Sequence, residues 1–310
     1  MLLPRRPKAL HLTQKPQPGE SKKAISKRRR ALVARHGFPA ALLALAVGTA
    51  AHALKSAARS VDAAPRQKLI ALTFDDGPRP WVLKGNSAAG HASASLLDLL
   101  DHQGVKATFF VMAWRLAPGA DQDCRKIDVG INCRQAAEEE HRRGHEIENH
   151  TYGHGNFRRM KARYGEEWIL NDLERASRTI EPLTGIKPLY VRPPDWEVWP
   201  ELAQRIEARG YHLMSKSTAL PPARRDVDSE DYFCVGKDLS KCPQPSLYDY
   251  VLRTIEQRER KGAYGHILVF HEIPNSVEVL SRLIPELKKR GFAFVTLRKY
   301  LEMEKLSLLP

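Results

Sequence analysis

Two carboxylates stand side by side at the end of an apolar run: in LIALTFDDGPRP (Leu69–Pro80), Asp75 and Asp76 precede Gly77 and Pro78. Like charges at that distance repel, so a cleft that keeps both ionised must offset the cost. A divalent cation does this, with one Asp as ligand and the other free to take a proton. A DDG turn on a solvated loop is the ordinary meaning of such a pair, but further ligands are available. HEIENHTYGHGNF (His145–Phe157) holds His150 and His154 four residues apart. On a helical turn that spacing puts both imidazoles on one side. One Asp and two His make three protein ligands with an open fourth position, the arrangement of a catalytic zinc rather than a structural one. H-x3-H alone is a weak signal; beside a strand-end DD pair it becomes a strong one. Zinc lowers the pKa of a bound water from about 15.7 to about 7. His271, directly after HILVF, could then donate a proton to a departing amine. His145 is expected to pack or face solvent.

These residues need elements to hold them. Apolar runs predict strands at Lys68–Phe74, Val105–Met112, Pro188–Val191, Tyr211–Ser215, His266–Phe270 and Phe292–Leu297, with a short strand-like EIE before His150. Helical periodicity predicts helices at Leu96–His102, Arg134–Arg143, Gly165–Leu183, Glu201–Arg209, Leu247–Gly262 and Val277–Arg290, then a short helical tail. Alternation of the two implies an α/β fold with parallel strands. Chemistry in such folds gathers where strands end and loops begin. Asp75 and Asp76, Arg192 and His271 all stand directly after apolar strands, which makes them candidates for one site.

The formal charge of +14 at first suggests nucleic acid. Residues 1–67 carry 14 Lys and Arg against Glu20 and Asp62, which leaves only +2 for the rest. A nucleic-acid function thereby loses its main support. The basic head reads as export machinery. Lys27–Arg30 and Arg35 precede the sixteen-residue run FPAALLALAVGTAAHA (Phe38–Ala53), ending in Ala51-His52-Ala53, an A-x-A cleavage site. The run is short for a span of about 20 residues, so a cleaved signal peptide is expected over a stable anchor, an uncleaved anchor being the alternative. The expected organisation is a basic extension (1–36), the signal segment (37–53), a linker (54–67), a single catalytic domain (68–301) and a tail (302–310). Four cysteines suit an oxidising compartment and allow three pairings. Two local closures, Cys124–Cys133 and Cys234–Cys242, would each pin one loop. No heptad or apolar stripe argues for an oligomer, and monomer is the default.

TFDDGP (Thr73–Pro78), HTYGH (His150–His154), RPP (Arg192–Pro194), DSEDY (Asp228–Tyr232) and LVFH (Leu268–His271) occur in this order. They resemble the successive motifs of the polysaccharide deacetylases, carbohydrate esterases that include chitin and peptidoglycan N-deacetylases. The resemblance runs from about Lys68 to Tyr300, and its first two motifs are the most specific. It implies a distorted (β/α) barrel and metal-dependent removal of N-acetyl groups from N-acetylhexosamines of a glycan. It makes Asp75 the general base, and Asp76, His150 and His154 the ligands of one divalent ion, zinc or else cobalt or another. Arg192 would hold Asp75 ionised and oriented, His271 would be the general acid, and Asp231 or Asp228 would steady His271 or Arg192.

The chain departs from the family where R-P-P-Y-G is common and Asp195-Trp196 follow Pro194 instead. Residue 195 is expected to donate its backbone N–H to the tetrahedral oxyanion. An Asp there opposes the oxyanion unless its carboxylate is paired or turned away. Tyr232 replaces the usual Trp, and Phe270 replaces Leu in the core. Among the aromatics Trp81, Trp114, Tyr152, Trp196, Trp199 and Tyr232, the expectation is that Trp196 and Tyr232 lie near substrate and half of the set is core. The altered pocket leaves open a different acyl sugar, or a sugar-binding relative with little turnover.

Overall fold

Residues 67–83, 95–118, 132–214, 226–234, 241–242 and 246–307 are described by the computed structural model of the protein. The basic extension, the signal segment, the linker up to Arg66, Cys124 and the Trp81 side chain lie outside them. Among the described residues, no helix is long and apolar enough to cross a membrane.

Strand β1 (Lys68–Gly77) organises the sheet. Along one edge it pairs in parallel with β7 (Gly265–His271), from Leu69↔Gly265 to Asp75↔His271. Its other edge is shared: the first half pairs with β8 (Phe292–Val295), the second with β2 (Thr108–Val111). Beyond β2 follow β3 (Glu146–Asn149), β4 (Tyr190–Val191) and β5 (His212–Leu213), and beyond β7 lies β6 (Asp226–Asp228). Every described pairing is parallel. The strands curl into a half-barrel, open between β5 and β6 among the described residues, in agreement with the distorted barrel expected.

Side-chain alternation divides each strand between two cores. Ile70, Leu72 and Phe74 of β1 join Leu268 and Phe270 of β7 on the outer face, beneath the helices. There they meet α1 (Leu96–His102), α6 (Leu247–Glu259) and α7 (Pro274–Lys289) through Leu97, Val251 and Leu280. Leu69, Ala71 and Ile267 face inward, with Phe110 and Tyr190, over Leu297 and Tyr300 of α8 (Leu297–Ser307). Asp75 and His271 lie on this inward face at the carboxyl end, on the alternation that places Ala71 and Ile267 there.

The remaining helices are α2 (Cys133–Arg142), α3 (Phe157–Tyr164), α4 (Glu166–Thr184) and α5 (Pro200–Glu207). Two elements carry too little apolar signal to be read from sequence. Helix α3 is basic and buries only Phe157, and β6 is the tripeptide DVD, a strand because it pairs with β7. Pairing in β4 starts at Tyr190 rather than Pro188, because the Leu189 and Tyr190 N–H groups go to the buried Glu148 carboxylate (2.8 and 2.9 Å). Cys234 and Cys242 form the expected disulfide. Cys133 is disulfide-bonded too, its expected partner lying outside the described residues. Leu268 is wholly buried at the centre of the outer core. Leu268→Ala is expected to cost about 2–5 kcal/mol of unfolding free energy, read by denaturant titration.

Candidate active site

Strict alternation would send Asp75 and Asp76 to opposite faces of the sheet. Instead, β1 takes three steps from Phe74 to Gly77 while β2 takes two, from Phe109 to Val111. This extra residue makes a bulge, and Asp76 adopts φ 67° within it. Bulges re-aim side chains, and here both carboxylates reach the carboxyl end of the barrel. Asp75 remains in register with His271 across β1–β7.

His150 and His154 do come together, with ring centroids 4.9 Å apart, but not on a helical turn as their spacing suggested. The segment between β3 and α3 is a loop in which Thr151 and His154 take positive φ (70° and 53°). Side chains hold this shape where a helix would have used backbone bonds. The Asn149 carboxamide oxygen accepts from Thr151 N (2.7 Å), and the Thr151 hydroxyl accepts from His154 N (2.8 Å). Asp172, on α4, accepts from Tyr152 N (2.9 Å) and Gly153 N (3.3 Å), and hydrogen-bonds the Thr151 hydroxyl. The Asn149 amide donates in turn to Leu173 O and Ser177 Oγ, both at 3.0 Å.

Asp76 Oδ1 lies 3.2 Å from His150 Nε2 and 3.0 Å from His154 Nε2. It makes no well-directed hydrogen bond to either, although it is buried. Three donors of the kind that bind zinc thus face one point, and among the described residues no other such group of three occurs. His150 Nδ1–H donates to the Arg192 carbonyl (2.8 Å), which leaves Nε2 with a lone pair for a metal. Burial alone would raise the Asp76 carboxyl, but His150 and His154 outweigh it and hold it far below the usual carboxylate range. Burial pulls His154 down, yet Asp76, with Asp195 and Asp75 further off, leaves it raised.

Arg192, the residue after β4, is fully buried. Its Nη1 donates to Asp75 Oδ1 (2.6 Å) and Thr73 Oγ1 (2.9 Å). The guanidinium is seated over the Phe110 ring, 4.1 Å from its centroid, and lies 5.1 Å from that of Trp196. Across the barrel mouth, His271 Nδ1 lies 2.7 Å from Oδ1 of the buried Asp231. Asp231 Oδ2 accepts from His271 N (2.8 Å) and Ser276 Oγ (2.5 Å). Of the two acids weighed for this place, Asp231 reaches the histidine; Asp228 Oδ1 accepts from Glu230 N instead. Burial lowers His271, but the Asp231 hydrogen bond and charge, with Asp75 and Asp76, push it up to about 9.

The mouth carries Asp195, Trp196 and Tyr232. Asp195 and Trp196 both have positive φ (56° and 60°), and the Asp195 carboxylate is turned aside to accept from Asn156 Nδ2 (3.0 Å). This is the pairing that an Asp at this position requires. Tyr232, 44 % exposed, meets the His271 ring edge-on at 5.1 Å. Tyr152 and Trp199 are engaged elsewhere, by Arg175 and by Glu166 with Lys161. His145 packs: its Nδ1 accepts from Ala107 N (3.1 Å), and burial lowers it to about 4.

A family model described as polysaccharide deacetylase matches residues 62–214. The chain is a member of the polysaccharide deacetylase family. Relatives include a peptidoglycan-N-acetylglucosamine deacetylase of Bacillus cereus, 26% identical over 76% of this chain and 69% of its own. The peptidoglycan-N-acetylmuramic acid deacetylase PdaC of Bacillus subtilis is 26% identical over 78% of this chain, but the match spans only 40% of PdaC. Among solved structures, PdaC aligns at 25% identity with a TM-score of 0.54, covering 78% of this chain and 94% of that one. A family 4 carbohydrate esterase from Streptomyces lividans shares the fold, with 20% identity and a TM-score of 0.51 over 73% of this chain and 91% of that one. The family match includes Asp75, Asp76, His150, His154 and Arg192; Asp231, Tyr232 and His271 lie beyond it and join them through β6–β7.

All ten residues singled out in the sequence lie at strand ends or in the segments that follow strands, at one end of the barrel. Sequence reasoning missed Thr73, Asn149, Asp172 and Ser276, which hold the others. The only signal for Asp172 is an acid beside the apolar stripe of its helix. Asp172→Leu removes the acceptor of the Tyr152 and Gly153 N–H groups, at about 1–2 kcal/mol for each hydrogen bond lost. It is expected to lower stability by about 2–4 kcal/mol and to weaken zinc binding at least tenfold, measured by denaturation and calorimetry. Folding raises His271 from 6.5 to about 9. Its partnership with Asp231 therefore stabilises fully below pH 6.5 and stops doing so as pH rises through about 9. In metal-free protein the His271 ring is expected to titrate near pH 9 by NMR, and at least one unit lower in Asp231→Asn.

Proposed function

We propose that this protein is an exported, metal-dependent hydrolase that removes N-acetyl groups from N-acetylhexosamine residues of a chitin-like or peptidoglycan glycan. Family membership and the names of the relatives support polysaccharide N-deacetylation. One observation carries the assignment of residues: Asp75 bonded to Arg192 and His271 bonded to Asp231 stand on paired positions of adjacent strands, beside Asp76, His150 and His154.

A divalent ion held by Asp76, His150 and His154, zinc or cobalt, would supply Lewis acidity that polarises the acetyl carbonyl and the attacking water. Asp75 is the base. Arg192 fixes its orientation, so its carboxylate takes the proton of the water that attacks the carbonyl carbon. The backbone N–H of Asp195 donates to the developing oxyanion, with the Asp195 carboxylate held away by Asn156. His271 protonates the amide nitrogen as the C–N bond breaks, releasing acetate and leaving a free amine on the sugar. Asp231 keeps the imidazole charged until that step. Trp196 and Tyr232 flank the mouth and can stack on sugar rings.

The test is acetate release by the full chain from chitin oligomers and peptidoglycan, with zinc and with chelator. Chelator-sensitive release from either substrate is expected. Asp75→Asn and His271→Ala should each lower kcat by about 10²–10⁴-fold with KM little changed. Release that survives chelation, or an Asp75→Asn variant with wild-type turnover, overturns the reading.

A further inference from the structure

Behind the metal-binding end of β1 lies a buried acidic residue that the proposed chemistry does not use. Glu272 follows His271, and alternation sends its side chain to the opposite face of the sheet, where it is fully buried. Its carboxyl presses on the chain just beyond Asp76. A Cβ added to Gly77 would lie 1.5 Å from Glu272 Oε1 and 2.4 Å from Cδ. Glu272 Oε2 accepts from Arg79 N at 2.7 Å. The same short stretch is tied on its other side, where Met112 N donates to Gly77 O (2.8 Å) and Arg115 Nη1 to Pro78 O (3.3 Å). Asp76 therefore sits in its left-handed conformation with the residues that follow it held from two directions, and one of the anchors is Glu272.

Glu140 on α2 is also fully buried, and neither of its oxygens has a hydrogen-bond partner. Burial, and after it the charge of Glu272, raise the Glu140 carboxyl well above the ordinary carboxylate range. Burial raises Glu272 too, to about 7, against the opposing pull of the Arg79 N–H and the charges of Arg79 and Arg115.

We propose that Glu272 is a positioning residue for the metal site: its carboxyl, spanning from β7 to the Gly77–Arg79 turn, holds Asp76 in the conformation that ligates the ion. The inference rests on the metal-binding reading of Asp76. It assigns a single side chain to each half of the chemistry, since residues 271 and 272 serve the proton donor and the ligand from opposite faces of one strand.

Two conservative variants separate reach from acidity. Glu272→Asp keeps the carboxyl but is one methylene too short to reach Arg79 N; Glu272→Gln keeps an acceptor at the right length and loses the ionisable group. Zinc binding to the full chain would be measured by calorimetry, alongside the unfolding midpoint of the metal-free protein. Glu272→Asp is expected to bind zinc at least tenfold more weakly, and Glu272→Gln to stay within threefold of wild type. A merely structural role would lower the metal-free midpoint and leave the zinc affinity of the folded protein unchanged; zinc affinity within twofold of wild type in folded Glu272→Asp overturns the proposal. If wild type itself binds no zinc, or His150→Ala binds it as tightly as wild type, the metal reading fails first and takes this inference with it.

Discussion

The buried bond between Arg192 and Asp75 is the interaction on which the rest of the site depends. Two opposite charges taken out of water this completely are costly unless paired. Thr73 takes a second bond from the same nitrogen, Phe110 lies under the guanidinium and Trp196 lies 5.1 Å away, while Nε and Nη2 are buried without a hydrogen bond. Arg192 also reaches the Asp76–His150–His154 cluster through its backbone, since its carbonyl receives the Nδ1 proton of His150. One residue after a two-residue strand thus fixes the orientation of Asp75 and the tautomer of His150.

A second constraint is backbone conformation. Among the described residues, the non-glycine positions with positive φ are Asp76, Thr151, His154, Asp195, Trp196 and Glu230. Asp76 sits in the β1 bulge and the others in segments that follow strands, and each conformation costs on the order of 1–3 kcal/mol for an ordinary side chain. Such conformations persist only where surroundings over-determine them. The surroundings here are identifiable: the bulge against β2 for Asp76, the Asn149–Thr151–Asp172 network for the histidine loop, Asn156 for Asp195, and Asp228 for Glu230. The stable part of the protein, two apolar cores divided by a parallel sheet, supplies the rigidity that these loops lack.

Opposed environments give the two titrating partners their separate states. Asp76 is driven towards ionisation by the imidazoles beside it, while His271 is driven towards protonation by Asp231. In the proposed chemistry an anionic ligand and a protonated donor coexist at neutral pH, and this separation allows it. It arises because β1 and β7 end level with each other, so that each charged group has its own counter-charge rather than sharing one.

The order of strands and helices, the strand-end positions of Asp75, Asp76, Arg192 and His271, and the grouping of Asp76 with His150 and His154 were all legible in the residues, because apolar runs and strand ends are local patterns. Their limits are equally local. The spacing of His150 and His154 suggested a helical turn, whereas a loop built on Asn149 and Asp172 brings the rings together; a contact from a helix some twenty residues away leaves no mark on H-x3-H. Adjacent Asp75 and Asp76 could not announce the bulge that lets them share one end, since that depends on where β2 falls in register. Helix α3 and strand β6 escaped notice for want of apolar residues. The choice of Asp231 over Asp228, the seat of Arg192 between Phe110 and Trp196, and the pressure of Glu272 on Gly77 were decided only by the tertiary structure. Each is a contact between residues far apart in the chain, and the energy that selects it belongs to the packed barrel rather than to any one segment.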